Sequence, residues 1–185
     1  MHTSMDGNKA VFLDRDGTIN VDKYYLYKKE DFEYIDGAVE GLRYLCEMGY
    51  LLIIITNQSG IARGYYSEED YHVLDSWLKN DLKNKGVMIA KSYYCPHLPE
   101  GKVKDYATEC ICRKPKTALF WQAQKELNIN MNLSYAIGDK VRDLCICSES
   151  GVKGILLGNK NGADSRYHVC SNWKEITEYI NNGTV

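Results

Sequence analysis

Asp14 and Asp16 stand two apart in Asp14-Arg15-Asp16-Gly17-Thr18, where the apolar run Lys9–Leu13 ends. A third carboxylate, Asp139, closes another apolar run, Ser134–Ile137, through Gly138. Three carboxylates gathered in one place repel one another unless a cation lies among them. An all-oxygen donor set beside a phosphate suits Mg²⁺, which takes one or two carboxylates together with substrate oxygens and water. Asp14, Asp16 and Asp139 are therefore the expected Mg²⁺ ligands. Aspartates are also common in solvated turns, so the Asp14/Asp16 pair alone leaves both readings open.

A second set of residues suggests a different metal. Cys95-Pro96-His97 and Cys110-Ile111-Cys112 are two tight pairs separated by twelve residues. Such pairs bridged by a loop can close a tetrahedron of soft and borderline donors, the form of a structural Zn²⁺ site. The intervening Leu98–Glu109 is polar, with Pro99 and Gly101, and has little core of its own. Metal binding would supply its folding free energy, ~10–16 kcal/mol in small zinc peptides. Cys95, His97, Cys110 and Cys112 are the expected Zn²⁺ ligands, with no open position for catalysis. Of the seven cysteines, Cys145 and Cys147 flank Ile146 in a predicted helix, where residues two apart do not face each other. Cys46 and Cys170 read as small apolar fillers. An odd count and no visible export signal argue against a disulfide framework.

The elements that must position these groups alternate. Strands are expected at Lys9–Leu13, Tyr50–Ile55, Ile89–Tyr94, Ser134–Ile137, Lys153–Leu157 and Tyr167–Cys170. Between them lie predicted helices over Gly37–Met48, over residues 67–85, over Thr117–Leu127 and over Val141–Ser150, with a last one from Ser171 to Ile180. Ser67 and Asp70 form a capping box, and Val73, Leu74, Trp77 and Leu78 make that helix's apolar face. Alternation of this kind predicts an α/β fold, a parallel sheet with helices on both faces. Ligands bind such sheets at the carboxyl ends of the strands. Asp14/Asp16, Thr56/Asn57 and Asp139 all follow strands and would converge there.

Composition bounds the rest. With 185 residues, 44% of them hydrophobic, the chain suits one domain over residues 1–185. No run approaches the ~18 apolar residues of a membrane span. The first residues, Met1 to Lys9, lack an apolar signal region, so a cytoplasmic location is expected. A formal charge of −2 lacks the basic excess that nucleic-acid binding needs. A monomer is the default expectation.

Asp14-Arg15-Asp16-Gly17-Thr18-Ile19, Thr56, Lys114 and Gly138-Asp139-x-x-x-Asp143 occur in the order of the four motifs of the haloacid-dehalogenase-like (HAD) phosphatases, which the chain resembles over residues 9–157. The resemblance implies a Rossmann-like sheet, Asp14 as the nucleophile that forms an aspartyl-phosphate, and Asp16 as acid and then base. Chemistry agrees: a carboxylate attacks an anionic phosphoryl group only when cationic groups offset the repulsion. Lys114 and the Thr56 hydroxyl are the right types to hold its oxygens.

The Cys/His loop joined to Arg113-Lys114-Pro115, with Thr56-Asn57-Gln58-Ser59-Gly60-Ile61-Ala62-Arg63-Gly64, narrows the resemblance to the D-glycero-D-manno-heptose 1,7-bisphosphate 7-phosphatases, with histidinol-phosphate phosphatases close by. That subfamily is capless. The resemblance implies a small sugar bisphosphate as substrate, contacted by Asp22, Tyr25, Arg113 and Lys140. It implies that Thr56, Asn57, Gln58 and Ser59 line the phosphate pocket. Arg113 suits a second phosphate because its planar fork binds oxygens in pairs. Two positions depart from the subfamily pattern: Thr117-Ala118 replaces a Pro-Gly, with Thr117 expected to cap the next helix, and Tyr24 stands where a glycine is common. Gly158 to Gly162 is compatible with a phosphate-facing loop. A non-enzymatic, zinc-stabilised binding module is the third reading, and the intact Asp14, Asp16, Lys114 and Asp139 argue against it.

Overall fold

A computed structural model describes residues 7–158 and 165–183. Six strands form one parallel sheet: β1 (Ala10–Leu13), β2 (Leu51–Asn57), β3 (Ile89–Cys95), β4 (Tyr135–Gly138), β5 (Lys153–Leu157) and β6 (Tyr167–Cys170). Their order is β3-β2-β1-β4-β5-β6. The chain winds outward from β1 in one direction and then, from β4, in the other. The switch point between β1 and β4 opens a crevice at their carboxyl ends.

The strands read as unbroken apolar runs because both faces of the sheet are covered. Alternate residues serve opposite layers. Val11, Leu13, Leu52 and Ile54 pack against α1 (Ala38–Glu47), α3 (Glu68–Asn84) and α5 (Trp173–Asn182). Ala10, Phe12, Ile53 and Ile55 pack against α4 (Ala118–Glu126) and a 3-10 helix over Val141–Ser148. A four-residue helix, α2 (Gly60–Arg63), follows β2 directly.

Several local expectations need correction. The helix expected over Val141–Ser150 is present as a 3-10 helix that stops at Ser148, and Asp143 caps it by accepting from the Lys140 N–H at 3.1 Å. The Ser67/Asp70 capping box of α3 is present, but Val73 lies outside the buried face, which is Tyr71, Leu74, Asp75, Leu78 and Leu82. Thr117 occupies the cap position of α4 without capping it; its hydroxyl donates to Glu149 at 2.7 Å instead. The last helix is capped by Asn172, not Ser171, through the Glu175 N–H. The Gly158 to Gly162 loop lies largely outside the described residues. No described helix is long and apolar enough to cross a membrane.

Candidate active site

The chain leaves β1 into Asp14 and turns at Gly17, whose φ of +91° a side-chain-bearing residue rarely adopts. A Cβ there would sit 2.5 Å from the Asp139 carboxyl carbon, so the missing side chain lets the ends of β1 and β4 close together. Gly138 does the same for Asp143, whose Cβ would otherwise lie 2.3 Å from an added Cβ. These two approaches bring carboxylate oxygens of Asp14, Asp139 and Asp143 within 4.8 Å of one another.

Lys114 lies beneath them, 3% exposed. Its Nζ donates to Asp14 Oδ1 at 2.8 Å and to the Ile55 carbonyl at 2.7 Å, and pairs with Asp143 Oδ1 at 2.8 Å. Burial works against its charge, but Asp14 and Asp143 outweigh burial and hold the ammonium protonated. Burial pushes the Asp14 carboxyl up to about 7; Lys114 opposes the shift, and Asp143 and Asp16 add to it. Asp139 is also raised by burial, against the pull of Lys140 at 3.1 Å, and its Oδ1 is buried without a hydrogen bond. An acidic cluster with raised carboxyls and an orphaned buried oxygen fits a divalent cation with oxygen ligands.

The carboxylates that can share an ion differ from the expected set by one residue. Asp16 turns its carboxylate to Arg15, Asn20 and Gln58, at 3.0–3.2 Å, and Asp143 takes its place in the cluster. Burial alone would raise Asp16, yet Arg15 and these hydrogen bonds hold it below the usual carboxylate range.

Gln58 is the hub beside it. Its Nε2 donates to Asp16 Oδ2 at 3.0 Å and to Thr56 Oγ1 at 2.9 Å. Its Oε1 accepts from the Tyr66 hydroxyl at 2.6 Å and from Arg15 at 3.3 Å. Asn57 also has a structural task. Its amide spans the Lys114 peptide, donating to the carbonyl at 3.1 Å and accepting from the N–H at 3.0 Å.

Above these groups opens a cleft of about 410 Å³. Of the residues expected on the substrate, Asp22, Tyr25, Thr56, Asn57, Gln58, Ser59, Arg113 and Lys140 all line it. Asp14 and Asp16 reach its floor. Arg63, Tyr66, Arg142 and Asp143 line it as well, none of them singled out by residue type and spacing. Asp143 carried one signal, its place in the Gly138-Asp139-x-x-x-Asp143 motif. Tyr24 and Tyr25 are held with φ of 52° and 63°, rare for aromatic residues, and the Tyr24 N–H donates to Asp22.

The Cys/His residues converge outside the cleft. Cys95 Sγ lies 3.7 Å from His97 Nδ1, 3.6 Å from Cys110 Sγ and 3.0 Å from Cys112 Sγ. His97 Nδ1 lies 3.3 Å from Cys112 Sγ. All of the cysteines are free thiols, and these four donors could hold a metal ion. The loop they close rests on the active-site segments: the Gln58 N–H donates to the Cys95 carbonyl at 2.8 Å, and Val103 N–H to Ala62 at 2.9 Å.

A carboxylate just past the first strand of a Rossmann-like sheet, a buried lysine against it and a carboxylate cluster that could hold a cation fit a phosphatase of the HAD-like class. A family model described as polynucleotide kinase 3 phosphatase matches residues 9–148. A D-glycero-beta-D-manno-heptose-1,7-bisphosphate 7-phosphatase of Haemophilus ducreyi is 49% identical over 82% of this chain and 83% of its own. A D-glycero-alpha-D-manno-heptose-1,7-bisphosphate 7-phosphatase of Photorhabdus laumondii is 47% identical over 80% and 81%. A solved D,D-heptose 1,7-bisphosphate phosphatase from B. bronchiseptica, complexed with magnesium and phosphate, has the same fold at 24% identity. Its TM-score is 0.81, over 95% of this chain and 99% of that one. The chain belongs to this phosphatase family and, within it, to the heptose-1,7-bisphosphate 7-phosphatases.

Proposed function

We propose that the protein hydrolyses the 7-phosphate of D-glycero-D-manno-heptose 1,7-bisphosphate. The observation that carries this is identity of 41–49% over about four-fifths of the chain with several relatives of that name. Histidinol phosphate is not favoured, because none of these relatives bears that name.

In the proposed reaction Asp14 attacks phosphorus and the P–O bond to C7 breaks; Asp16, once released from Arg15 and protonated from solvent, gives that proton to the departing alkoxide. Asp16 then takes a proton from water, which attacks the aspartyl-phosphate and frees inorganic phosphate and Asp14. Asp16 must leave its bonds to Arg15 and Gln58 to reach the leaving oxygen. Lys114 fixes one oxygen of Asp14 and offsets charge, and Thr56 offers a hydroxyl to the phosphoryl oxygens. Asp14, Asp139 and Asp143 would hold Mg²⁺, which when bound neutralises the phosphoryl charge. Arg113, Lys140, Asp22 and Tyr25 are placed to grip the sugar and its second phosphate.

Zinc is the ion we infer for Cys95, His97, Cys110 and Cys112. Zn–S bonds of ~2.3 Å and a Zn–N bond of ~2.0–2.1 Å place tetrahedral donors roughly 3.5–3.8 Å apart. The Cys95–His97 and Cys95–Cys110 separations of 3.7 and 3.6 Å match that spacing, while Cys112 sits closer, 3.0 Å from Cys95 and 3.3 Å from His97.

The test is phosphate release with Mg²⁺ from both anomers of heptose 1,7-bisphosphate, fructose 1,6-bisphosphate, histidinol phosphate and p-nitrophenyl phosphate. We expect kcat/KM for one heptose anomer to exceed the others by about a hundredfold or more, ~2.7 kcal/mol of discrimination. A preference for histidinol phosphate would overturn the substrate while leaving the mechanism.

A further inference from the structure

The floor and the rim of the cleft differ in how their charges are paired. On the floor, Lys114 answers Asp14 and Asp143, and Arg15 answers Asp16. At the rim, Lys140 is shared between Asp22 and Asp139. The guanidiniums of Arg63, Arg113 and Arg142 line the same cleft and form no ion pair among the described residues. Arg113 leans on the His97 carbonyl at 3.4 Å, and Arg142 is exposed. Arg63 differs from both. It is half-buried, and its Nε is shut off from water with no hydrogen-bond partner.

A buried donor left unmatched is costly and calls for an explanation. Here the surroundings hold Arg63 in place rather than relieve it. Arg63 ends α2, its N–H bonded to the Ser59 carbonyl at 3.0 Å, and Gly64 at φ +72° turns the chain away behind it. The guanidinium carbon lies 5.7 Å from the centre of the Tyr25 ring. Tyr25 itself packs edge-on against Tyr65, ring centres 4.7 Å apart, at the end of the left-handed Tyr24-Tyr25 pair. Backbone strain is kept where the neighbours over-determine it, and here it delivers an aromatic face to an arginine. A cation–π contact with the ring helps to hold the guanidinium in place and leaves its planar fork free to bind oxygens in pairs.

We propose that Arg63 is a specificity-determining residue that binds the phosphate which does not react. The inference rests on the bisphosphate reading above and adds to it the residue that selects two phosphates over one. Arg63 sits at the rim with no carboxylate against its charge, its Nε buried and the rest of its guanidinium left for a ligand, whereas every ion-paired cation of the floor is already committed to the reacting end. A bisphosphate supplies the missing anion; a monophosphate bound at Asp14 leaves Arg63 as it is.

The experiment compares kcat/KM on heptose 1,7-bisphosphate with that on heptose 7-phosphate, for the wild type, Arg63→Met and Arg63→Lys. The ratio of the two should fall by roughly 10- to 100-fold in Arg63→Met, the worth of a lost hydrogen bond to a charged group. Arg63→Lys should recover part of it, since an ammonium keeps the charge without the fork. Inhibition by heptose 1-phosphate, the product carrying only the unreacted phosphate, should weaken by a similar factor and more than inhibition by inorganic phosphate. An unchanged ratio with unchanged product inhibition overturns the proposal, as does a wild-type ratio near one. Should Arg63→Met lose its cooperative melt, Arg63→Lys carries the comparison. If the wild type prefers another bisphosphate, the substrate reading fails separately, and the same ratio on that compound and its monophosphate decides the role of Arg63.

Discussion

Asn57 brings no reactive group to the cleft, yet both atoms of its amide are committed to the Lys114 peptide. That clamp sets the height of the lysine whose Nζ meets Asp14 100 residues away in sequence. Asn57→Ala should cost stability by about 1–3 kcal/mol through the unpaired backbone groups. It should lower kcat more than it raises KM, because the displaced ammonium acts on the attacking carboxylate and not on the distal end of the substrate. Melting curves with steady-state kinetics check both, and a pure KM effect would return Asn57 to the substrate. At this scale the sequence disclosed residues whose chemistry is intrinsic: Asp14 and the four metal-ligand candidates carry it in their type and spacing, while Lys114 was reached through the motif resemblance. The clamp made by Asn57, the ion pair of Asp143 and the surroundings of Arg63 were not legible, because they come from neighbours that only the fold supplies. Asp16, expected among the Mg²⁺ carboxylates, turns its side chain to the adjacent buried Arg15, an orientation that its own type and spacing do not encode.

The Cys/His loop works as an element in place of a separate cap. Besides its contact at Ala62, the Tyr106 hydroxyl donates to Glu68 Oε2 at 2.8 Å, at the first residue of α3. Tyr94 on β3 donates to the other oxygen of Glu68 at 2.5 Å, so one carboxylate joins loop, helix and sheet. The loop has few buried apolar residues, Leu98 being one, so a metal held by its four donors would supply much of its folding free energy. Stripping zinc with a chelator should therefore speed hydrogen exchange first across residues 96–112 and then in α2, while β1 and β4 stay protected. Simultaneous loss of protection throughout the sheet would show that the loop is not a separate unit. Strands and helices were legible because buried parallel strands are apolar without interruption and their helices are amphipathic. Caps were less so: Thr117 and Ser171 have the right chemistry, but Glu149 and Asn172 offered better partners.

At the scale of the whole molecule, the switch point collects residues from Asp14 to Asp143 into one buried patch of charge, and the fold bears the cost. The folded, metal-free protein holds the Asp14 proton up to about pH 7, against 3.8 for an ordinary aspartate. A raised folded pKa means the native state binds the proton more tightly, so stability from this group rises as pH falls from about 7 towards 4. Below that window the depressed Asp16 acts the other way, losing its stabilising ion pair as it protonates. Mg²⁺ binds only the ionised form, so adding it should stabilise the protein more at pH 8 than at pH 5.5. Thermal melts with and without Mg²⁺ test this, and Asp14→Asn should flatten the metal-free pH slope while removing turnover. The crevice itself was foreseeable from three strands that end in polar residues. The charge balance within it was not, since it depends on which groups are buried together. One further consequence follows from the Gln58 hub. Arg15 can only donate and ionised Asp16 can only accept, so the amide between them can point one way only. Its Nε2 must then give a hydrogen to the Thr56 oxygen, which leaves the proton of Thr56 itself to be passed outward. The orientation of one neighbouring amide thus decides that Thr56 faces the cleft as a donor.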